Sequence, residues 1–595
     1  MTSYTPPLRD IRFALEDIVG LEALAALPGC AEIGADDIAA ILEQAGRFAA
    51  DVLAPLNRVG DVEGSRLENG AVVTPAGFRA AYDAFREGGW CAISAEEAFG
   101  GMGLPRLVAT AVWEIWNSAN MSFALCPLLT DGAVTLLAGH GTEEQKAVYL
   151  PKMVSGEWTG AMVITEPQAG SNVGAMITRA EPEGDAYRLR GQKIFISYGD
   201  HDLTDNVIHL VLARIAGAPA GNRGLSLFLV PKFIPDDAGK PGRRNDMRAV
   251  ALERKLGLHA SPTCVMEYGG NEGARGWLVG EANKGLAAMF TMMNAARMAV
   301  GHEGLGIAER AYQQAVAYAR ERLQGNLPGV EGQVPIIRHA DVRRMLLAMK
   351  ARIEAMRALS LEAALSVDIA ARHPDAAVRA AHAARVGVFT PIVKAWCTDG
   401  AVEVASTAIQ VHGGAGFIEE TGVAQHLRDA RITPIYEGTN GIQALDLVRR
   451  KLAPDNGAAI GAMIGEIRAC DAVLATAGGP AISAIRERLA EAVDALARTT
   501  DSLLHAMKES AETADAGAVP YLDLMGTVLG GYLLARGAVA AAGRRATGDG
   551  ADGFLAAKLA AATYYAETML PRAAALERSA TLGAIAAAAL PEVDF

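Results

Sequence analysis

The segment Gly191-Gln-Lys-Ile-Phe-Ile-Ser-Tyr-Gly199 alternates apolar and polar residues in the way that is typical of a half-buried β-strand. It belongs to a series of short β-type runs at residues 161–165, 187–197, 207–215, 225–230 and 263–268. Polar or Gly-rich turns separate these runs from one another. Regular short strands with turn signals between them predict a compact β-barrel or sandwich over residues 159–280.

Helical patterns dominate on both sides of this predicted β domain. Ala- and Leu-rich segments precede it, amphipathic segments such as residues 342–364 follow it, and Pro454-Asp-Asn-Gly457 has the composition of a linker. Apolar residues at helical spacing then return, which predicts a helical extension rather than a disordered tail. We therefore expect an α+β, mostly α fold of four domains: an N-terminal helical domain (1–158), the central β-barrel or sandwich (159–280), a C-terminal four-helix-type domain (281–453) and an extra C-terminal helical domain (454–595).

The composition describes a large acidic chain with scattered cysteines. The chain has 595 residues, of which 51% are hydrophobic, and its 55 Lys and Arg against 68 Asp and Glu give a net charge of −13. The apolar content suffices for large cores and excludes global disorder, and an acidic chain lacks the electrostatic footprint of nucleic-acid binding. The six cysteines form no CxxC pair, which argues against zinc ribbons and disulfide scaffolds and fits a reducing compartment.

Targeting and membrane signals are also missing from the sequence. The N-terminal residues contain no basic segment followed by an apolar run, so no signal peptide is predicted. The apolar stretch at residues 524–535 ends at Arg536 and is shorter than a bilayer-spanning helix needs to be. We therefore expect a soluble, cytoplasmic protein without a membrane span or a nucleic-acid partner.

Several common enzyme signatures are incomplete in this chain. His302 and Glu303 would begin an HExxH zinc motif, but Gly306 stands where the second His is needed. Gly414-Ala-Gly416 would begin a dinucleotide-binding GxGxxG, but the third glycine is missing and no βαβ pattern surrounds it. The sequence also contains no Walker A motif and no GxSxG elbow. These incomplete or missing motifs argue against a metal site, nicotinamide binding, ATP hydrolysis and serine-hydrolase chemistry.

Two stretches of the β domain have residues that suit a ligand. Met162-Val-Ile-Thr-Glu-Pro-Gln-Ala-Gly-Ser-Asn172 is a strand that runs into a Gly/Ser loop, whose hydroxyls and backbone N–H groups suit an anionic or carbonyl-rich ligand. An ordinary hairpin turn would have the same composition. The strand at 191–199 places Phe195 and Ser197 on one face, which suits a flat redox ring, although any half-buried strand has this pattern.

Two further stretches lie in the helical domain. Gln410-Val-His-Gly-Gly-Ala-Gly-Phe417 places glycines after a helix, where the backbone could approach a phosphate or simply form a C-terminal turn. We expect His412 to be structural, because no metal-ligand partner stands at suitable spacing. In Tyr436-Glu-Gly-Thr-Asn-Gly441, the carboxyl of Glu437 follows apolar residues, and partial desolvation would raise its pKa toward that of a useful base.

Taken in order, these stretches resemble the acyl-CoA dehydrogenase family. The resemblance covers about residues 141–443 and also includes Lys255-Leu-Gly257 and Arg322-Leu-Gln-Gly325. One such motif is a weak signal, but six in register are a strong one. The resemblance implies FAD as cofactor and an acyl-CoA thioester as substrate. It also implies α,β-dehydrogenation to the trans-2-enoyl-CoA, with the electrons passed to an electron-transfer flavoprotein.

The same resemblance implies roles for individual residues. Glu437 matches the catalytic base, and its backbone N–H, with a flavin ribityl hydroxyl, would stabilise the developing enolate oxygen. The residues that match the family's FAD site are Met162, Thr165, Ser171, Phe195, Ser197, Arg322, Gln410, Gly413, Gly414 and Thr439. The residues that match its substrate site are Ser171, Asn294, Arg297 and Gly438. No metal ligand is implied.

The chain departs from the family pattern at several positions. Phe195 stands where many members carry Trp, and the Arg322 motif lacks a Phe. Gly441 stands where many short members have Gln, and His339 replaces a Gln of the flavin site. Another branch of the family carries its base one residue before the position of Arg297, but that residue here is Ala296, which cannot titrate. Glu303 is expected to be structural, as a lone Glu further along the same helix.

The N-terminal segment and the extension beyond about residue 455 resemble a large bacterial subgroup of the family. That subgroup includes 3-(methylthio)propanoyl-CoA and fatty acyl-CoA dehydrogenases, so we expect a straight-chain or thioether-containing acyl-CoA, bound against residues 113–126. The extension is expected to pack on the core and to help form a homodimer, because its apolar faces are too large to stay solvated. An acyl-CoA oxidase that uses oxygen, and a non-catalytic flavoprotein or scaffold, are the alternatives.

Overall fold

A computed structural model of the protein describes residues 4–548 and 550–594. These residues group into two compact units, which are interleaved along the chain. The first unit contains the chain up to Arg47, Arg106–Ser118 and the chain from Val300 onward. The second contains Phe48–Pro105 and Ala119–Ala299. The first unit is helical, whereas the second combines helices with the large β-sheet, so the predicted α+β, mostly α fold class is confirmed.

The N-terminal part of the chain forms helices and one small hairpin before the main sheet begins. The helices are α1 (Leu8–Phe13), α2 (Leu21–Ala25), α3 (Ala35–Phe48), α4 (Ala54–Glu63), α5 (Phe78–Glu87), α6 (Arg106–His140) and α7 (Glu143–Val154). The hairpin pairs β1 (Arg66–Glu68) with β2 (Ala71–Val73). Thr142 begins α7 with a capping box, in which its hydroxyl and the side chain of Gln145 exchange hydrogen bonds with backbone N–H groups.

The predicted central β domain is present and contains more strands than the sequence indicates. Its strands are β3 (Trp158–Val163), β4 (Arg179–Glu183), β5 (Ala186–Ser197), β6 (Asn206–Ile215), β7 (Leu225–Pro231), β8 (Phe233–Pro235), β9 (Pro241–Arg244), β10 (Met247–Leu252), β11 (Thr263–Tyr268) and β12 (Ala274–Val279). The pairings β4–β5, β5–β12, β12–β7, β7–β6 and β6–β4 form a closed circuit. Strand β3 joins β6, and β11 and β10 extend from the second half of β5.

Helices continue to the C-terminal end of the described chain. They are α8 (Gly285–Glu321), α9 (Ala340–Arg372), α10 (Ala376–His412), α11 (Val423–Ala430), α12 (Asn440–Asp446), α13 (Ala458–Ala477), α14 (Pro480–Glu509), α15 (Ala511–Ala516), α16 (Ala518–Thr547), α17 (Asp552–Thr568), α18 (Arg572–Arg578) and α19 (Ala584–Ala589). The predicted linker at Pro454 lies between α12 and α13. The apolar faces that the sequence predicts on α13, α14 and α16 are buried.

The C-terminal extension packs against helices α9 and α10, as the sequence predicts. The side chain of Glu466 on α13 forms an ion pair with Arg385 on α10, and it also accepts a hydrogen bond of 2.9 Å from the Tyr532 hydroxyl. On α17, the ammonium of Lys558 lies 2.6 Å from Asp10 and 3.2 Å from Glu354. The extension therefore belongs to the same compact unit as the helical domain that precedes it.

Among the residues that the structure describes, two helices are long and apolar enough to cross a membrane, namely α6 and α16. In both helices, 83% of the apolar window is buried inside the protein, which is the behaviour of core helices. The sequence-based expectation that residues 524–535 are too short to span was wrong about length, because α16 extends on both sides of them to 30 residues.

Helix α6 is broken in its middle, inside the segment 113–126 where we expect the acyl chain to bind. Asn120 has non-helical backbone angles (φ −161°, ψ 87°), and its side-chain oxygen accepts a hydrogen bond of 3.1 Å from the N–H of Phe123. Asn120 therefore caps the second half of the helix in the way that a helix N-terminus is capped. Every residue from Trp113 to Cys126 is buried.

Candidate active site

The predicted site residues divide between the two units. Met162, Thr165, Ser171, Phe195, Ser197, Asn294 and Arg297 lie in the second unit. Arg322, Gln410, Gly413, Gly414, Glu437, Gly438 and Thr439 lie in the first.

In the second unit, the loop after β3 is joined to strand β5. The N–H of Ile194 donates a hydrogen bond of 2.9 Å to the carbonyl oxygen of Thr165, and the ammonium of Lys193 donates one of 2.8 Å to the carbonyl of Ile164. Two stretches that the sequence analysis selected independently, one around Thr165 and one around Phe195, are therefore in direct contact. Ser171 lies in the same loop and is exposed to solvent.

A buried ion pair holds this loop in place. The ammonium of Lys193 lies 2.9 Å from Glu166, and both side chains are fully buried. The Glu166 carboxylate also accepts hydrogen bonds from the backbone N–H groups of Ile177 (2.7 Å) and Thr178 (3.1 Å). One carboxylate thus fixes both ends of the loop from 166 to 178, which contains Ser171.

Burial and ion pairing have opposite effects on the pKa values of Lys193 and Glu166. Burial lowers the pKa of Lys193 to about 8, although Glu166 favours its charged form. Burial alone would raise the pKa of Glu166, but the Lys193 ammonium and the two backbone N–H groups outweigh burial and lower it. The pair is therefore ionic at neutral pH.

Phe195 and Ser197 lie at the end of β5 in a strained stretch of backbone. Phe195 and Tyr198 have φ values of 60° and 49°, which are unfavourable for residues other than glycine and are concentrated at functional sites. Phe195 is 58% exposed, which leaves an aromatic face uncovered. Ser197 pairs in register with Thr263 of β11.

A buried histidine, His209, hydrogen-bonds to the backbone just after this strand end. The Nε2 of His209 lies 2.6 Å from the carbonyl oxygen of Gly199, and its Nδ1 lies 2.5 Å from the Tyr268 hydroxyl. Nε2 therefore donates to this carbonyl, and in the neutral ring Nδ1 accepts from the Tyr268 hydroxyl. Burial lowers the pKa of His209 to about 4, so the ring is neutral at physiological pH.

Helix α8 provides the two predicted substrate residues of the second unit. Arg297 is buried, its guanidinium lies 5.7 Å from the centre of the Phe290 ring, and one nitrogen lies 3.4 Å from the exposed side chain of Asn294. The Nε of Arg297 has no hydrogen-bond partner among the described residues. A buried guanidinium with such a donor is suited to bind an oxygen-rich ligand.

In the first unit, the end of helix α8 is joined to the glycine turn after α10. The ring of Tyr318 stacks on His412 with 4.3 Å between the ring centres, which brings the Arg322 end of α8 close to Gln410. His412 also hydrogen-bonds to the carbonyl of Ala408 (2.7 Å), a contact that agrees with its predicted structural role. Arg322 and Gln410 are exposed.

The glycine turn and the Arg322 loop leave backbone open to a ligand. Gly413 has a φ of 60°, and a side chain added at Gly413 or Gly414 would meet no atom within 4 Å. His339 donates a hydrogen bond of 2.7 Å to the carbonyl of Gln324 and packs against Gly325. His339, which replaces a Gln of the family's flavin site, therefore helps to set the conformation of the Arg322 loop.

Glu437 occupies a turn between α11 and α12 and is partly buried. Its φ of 56° is left-handed, and it is followed by Gly438 with a φ of 80°. The side-chain amide of Gln443 donates a hydrogen bond of 3.1 Å to the carbonyl of Glu437, and the Thr439 hydroxyl caps α12 by accepting from Ile442. The predicted base and its neighbours thus form one ordered turn with restricted geometry.

A second carboxyl lies beside this turn, on helix α8. Glu303 is completely buried and accepts a hydrogen bond from the hydroxyl of Tyr436, the residue immediately before the predicted base. Burial raises the pKa of Glu303 to about 8, and the nearby charge of Glu437 acts in the same direction. Sequence reasoning missed this relationship, because helical spacing does not show which loop faces a given side chain.

The exposed groups fit the FAD that the family resemblance implies. Phe195 offers an uncovered aromatic face, which suits a flat ring, and the open backbone at Gly413 and Gly414 suits a phosphate-containing chain. Glu166 and Lys193 were missed as site residues, although both stand inside the quoted motifs. Their pairing could have been suspected only from the rarity of buried charges.

Models of known protein families match four consecutive parts of the chain. They are the N-terminal domain (35–157), middle domain (161–269) and C-terminal domain (283–452) of acyl-CoA dehydrogenase, followed by an acetyl-CoA dehydrogenase C-terminal-like domain (463–591). The last match covers most of the helical extension.

Individual relatives match along nearly the whole chain. A 3-methylmercaptopropionyl-CoA dehydrogenase from Ruegeria pomeroyi is 49% identical over 96% of both chains. A broad-specificity linear acyl-CoA dehydrogenase, FadE5, from Mycobacterium tuberculosis is 35% identical over 96% of both. A crystal structure of a Bacillus anthracis acyl-CoA dehydrogenase in complex with FAD has the same fold, with a TM-score of 0.74, 20% identity, and coverage of 98% of this chain and 92% of that one. The chain belongs to the acyl-CoA dehydrogenase family.

Proposed function

We propose that this acyl-CoA dehydrogenase oxidises 3-methylmercaptopropionyl-CoA, a short acyl-CoA with a thioether in its chain. The observation that carries the proposal is the 49% identity to the Ruegeria pomeroyi enzyme along 96% of both chains, against 35% for the broad-specificity linear enzyme. At 96% of the chain the match includes most of the helical extension, so it extends beyond the motifs shared by the whole family.

The α-proton of the thioester is transferred to the carboxylate of Glu437. The thioester acidifies this C–H bond, and the backbone N–H at the Glu437 position stabilises the enolate oxygen as charge develops. Bound FAD supplies the acceptor for the β-hydride. In the roles that the family resemblance implies, Phe195, Ser197 and the loop held by Glu166 bind and orient the cofactor, and Arg297 contacts the substrate.

A panel of acyl-CoA substrates with an artificial electron acceptor tests the substrate. Pentanoyl-CoA is the matched comparison, because it differs from 3-methylmercaptopropionyl-CoA only by a methylene in place of sulfur. We expect a kcat/KM for the thioether substrate at least equal to that for pentanoyl-CoA, and about tenfold or more above long-chain substrates, since one methylene changes discrimination by about tenfold or more. A clear preference for long straight chains would contradict the proposal.

The electron acceptor and the assembly belong to the same proposal. Electrons are passed to an electron-transfer flavoprotein in the cytoplasm, so the reduced enzyme should be reoxidised quickly by that protein and slowly by air in a stopped-flow experiment. The enzyme works as a homodimer to which the helical extension contributes, and light scattering of the purified holoenzyme tests this. The four domains predicted at 1–158, 159–280, 281–453 and 454–595 remain part of this proposal.

A further inference from the structure

The carboxyl of Glu303 is the most unusual buried group near the predicted base. It lies in the middle of helix α8 with no exposed surface, and its Oε2 accepts the hydrogen bond from Tyr436. Its other oxygen, Oε1, is buried and has no hydrogen-bond partner among the described residues. A carboxyl in this position costs free energy compared with an apolar side chain, so it needs an explanation beyond packing.

The hydrogen bond from Tyr436 acts on the backbone of the base. Tyr436 and Glu437 are adjacent, and the left-handed φ of 56° at Glu437 is unfavourable for a residue with a side chain. Such a conformation persists only where its surroundings hold it on more than one side. Gln443 holds the turn from the α12 side through the carbonyl of Glu437, and Glu303 holds it from the α8 side through the Tyr436 hydroxyl.

A second contact of the same loop comes from helix α10. The buried ammonium of Lys394 donates a hydrogen bond of 2.8 Å to the side chain of Asn440, which also bonds to Thr398 and Asp399. The turn containing Glu437 is therefore held between α8, α10 and α12. Of these contacts, the one through Glu303 acts on Tyr436, the residue immediately before the base.

The charged and titratable groups that face Glu303 come from two elements. Tyr436 and Glu437 face it from the turn, and Lys394 faces it from α10, while His302 precedes it on its own helix. Burial has the largest effect on its pKa, the charge of Glu437 acts in the same direction, and the Tyr436 hydrogen bond and Lys394 oppose them. Glu303 is therefore protonated and uncharged at neutral pH, so it places no second negative charge beside Glu437 there.

We propose that Glu303 is a positioning residue for Glu437: through Tyr436 it holds the backbone turn at the base, and as a second carboxyl it makes the strength of that base depend on pH. The proposal rests on the assignment of Glu437 as the base of the dehydrogenation. When Glu303 loses its proton, a second negative charge beside Glu437 makes Glu437 a stronger base, so proton abstraction becomes faster.

Three variants separate the two parts of this role. Glu303→Gln keeps an oxygen that can accept the Tyr436 hydrogen bond but cannot ionise, Glu303→Ala removes both properties, and Tyr436→Phe removes only the hydrogen bond. Asp368→Asn is the matched control, because Asp368 is also a buried carboxyl of the first unit but bonds to the N–H groups of Arg106 and Leu107. The measurement is anaerobic flavin reduction by saturating acyl-CoA from about pH 6 to about pH 9, around the pKa of Glu303 near 8.

We expect the rate of the wild-type enzyme to rise as the pH passes through about 8, and Glu303→Gln to lose this rise. Glu303→Ala and Tyr436→Phe should lose about tenfold to a hundredfold in kcat with a smaller change in KM, since a small displacement of a catalytic group has an effect of that size. Glu303→Gln should retain more activity than Glu303→Ala, and Asp368→Asn should keep the wild-type pH profile. The infrared band of a protonated carboxyl should be present in the wild-type enzyme at neutral pH and absent from Glu303→Gln.

Two results would overturn the proposal while leaving the dehydrogenase activity in place. One is a Glu303→Gln variant with the wild-type pH profile and the wild-type infrared band. The other is a Tyr436→Phe variant that reduces flavin at the wild-type rate, and this variant remains informative if Glu303→Ala does not fold. An inactive wild-type enzyme would instead contradict the proposed function itself.

Discussion

The ammonium of Lys193 lies 2.9 Å from the carboxylate of Glu166, and neither side chain reaches solvent. The two residues are 27 positions apart along the chain, and their contact joins strand β5 to the loop that carries Ser171. A buried pair of this kind adds little net stability by itself, but removing one partner leaves an uncompensated charge. The pair therefore makes the geometry of the loop depend on both residues.

Lys193→Met should destabilise the second unit and release FAD. The substitution leaves the Glu166 carboxylate buried without its cation, which costs about 3–5 kcal/mol in comparable cases. Chemical denaturation and the flavin absorbance retained after gel filtration measure the two effects. The double variant with Glu166→Gln should be less destabilised than the sum of the single changes, because it leaves no lone charge.

Lys146→Met is the matched control for that variant. Lys146 forms an ion pair with Glu143 three residues earlier on the surface of α7, where the carboxylate is largely exposed. Surface pairs contribute about 0–1 kcal/mol, so this variant should keep both its FAD and its stability. Equal FAD loss in the two lysine variants would show that the buried pair has no special role.

Glu437→Gln should abolish dehydrogenation while FAD and acyl-CoA still bind. Glutamine keeps the shape of the side chain but cannot accept the α-proton at neutral pH. A positioned base contributes about 10²–10⁴-fold, so anaerobic bleaching of the flavin by acyl-CoA should slow by at least that range. Glu420→Gln, an exposed glutamate of the same unit, is the control and should bleach at the wild-type rate. Rapid bleaching by Glu437→Gln, with slow bleaching by Glu303→Gln, would move the base to Glu303.

The stability of the protein should also respond to the titration of Glu303. Its pKa in the folded protein is about 8, above the ordinary value of 4.5, so the folded state keeps a proton that the unfolded chain releases in this range. The contribution is therefore fully present below about pH 4.5 and is lost as the pH rises through about 8. Each unit of pKa difference corresponds to about 1.4 kcal/mol of unfolding free energy.

Unfolding midpoints in denaturant at several pH values would check this. The wild-type midpoint should fall between about pH 5 and about pH 8 more steeply than that of Glu303→Gln, which cannot titrate there. Parallel curves for the two proteins would mean that Glu303 does not hold its proton in the folded state.

Local sequence patterns predicted the strands and the buried faces of the helices well. The apolar faces of α13 and α14 are direct consequences of helix periodicity and are present. The alternation predicted for 191–197 is instead interrupted at Phe195, where φ is 60° and the pairing with β11 shifts its register. Strands β4, β8, β9, β10 and β12 of this domain were not predicted. Of these, β4 and β9 are largely polar and exposed and therefore lack an apolar signal. The role of Glu303 depends on which loop packs against α8, and that information is not contained in the spacing of residues along one helix.

The packing of the helical extension on α10 can be tested at two glycines of helix α16, Gly526 and Gly543. A side chain added at Gly526 of α16 would place its first carbon 2.3 Å from the indole ring of Trp396 on α10, far inside contact distance. Trp396 cannot move away freely, because it is buried and the guanidinium of Arg352 lies 3.9 Å from the centre of its ring. Gly543 lies on the same helix, but a side chain there would meet no atom within 4 Å.

Gly526→Ala should therefore destabilise the first unit, whereas Gly543→Ala should stabilise it. Alanine is favoured over glycine inside a helix by about 0.5–1 kcal/mol, and this gain applies at both positions. At Gly526 the overlap with Trp396 opposes the gain, since overpacking a core typically costs about 1–3 kcal/mol. The unfolding midpoint in denaturant should be lower than that of the wild-type protein for Gly526→Ala and higher for Gly543→Ala. Limited proteolysis near Pro454 should be faster for Gly526→Ala. If both variants were equally stabilised, the extension would not be packed against Trp396 in solution.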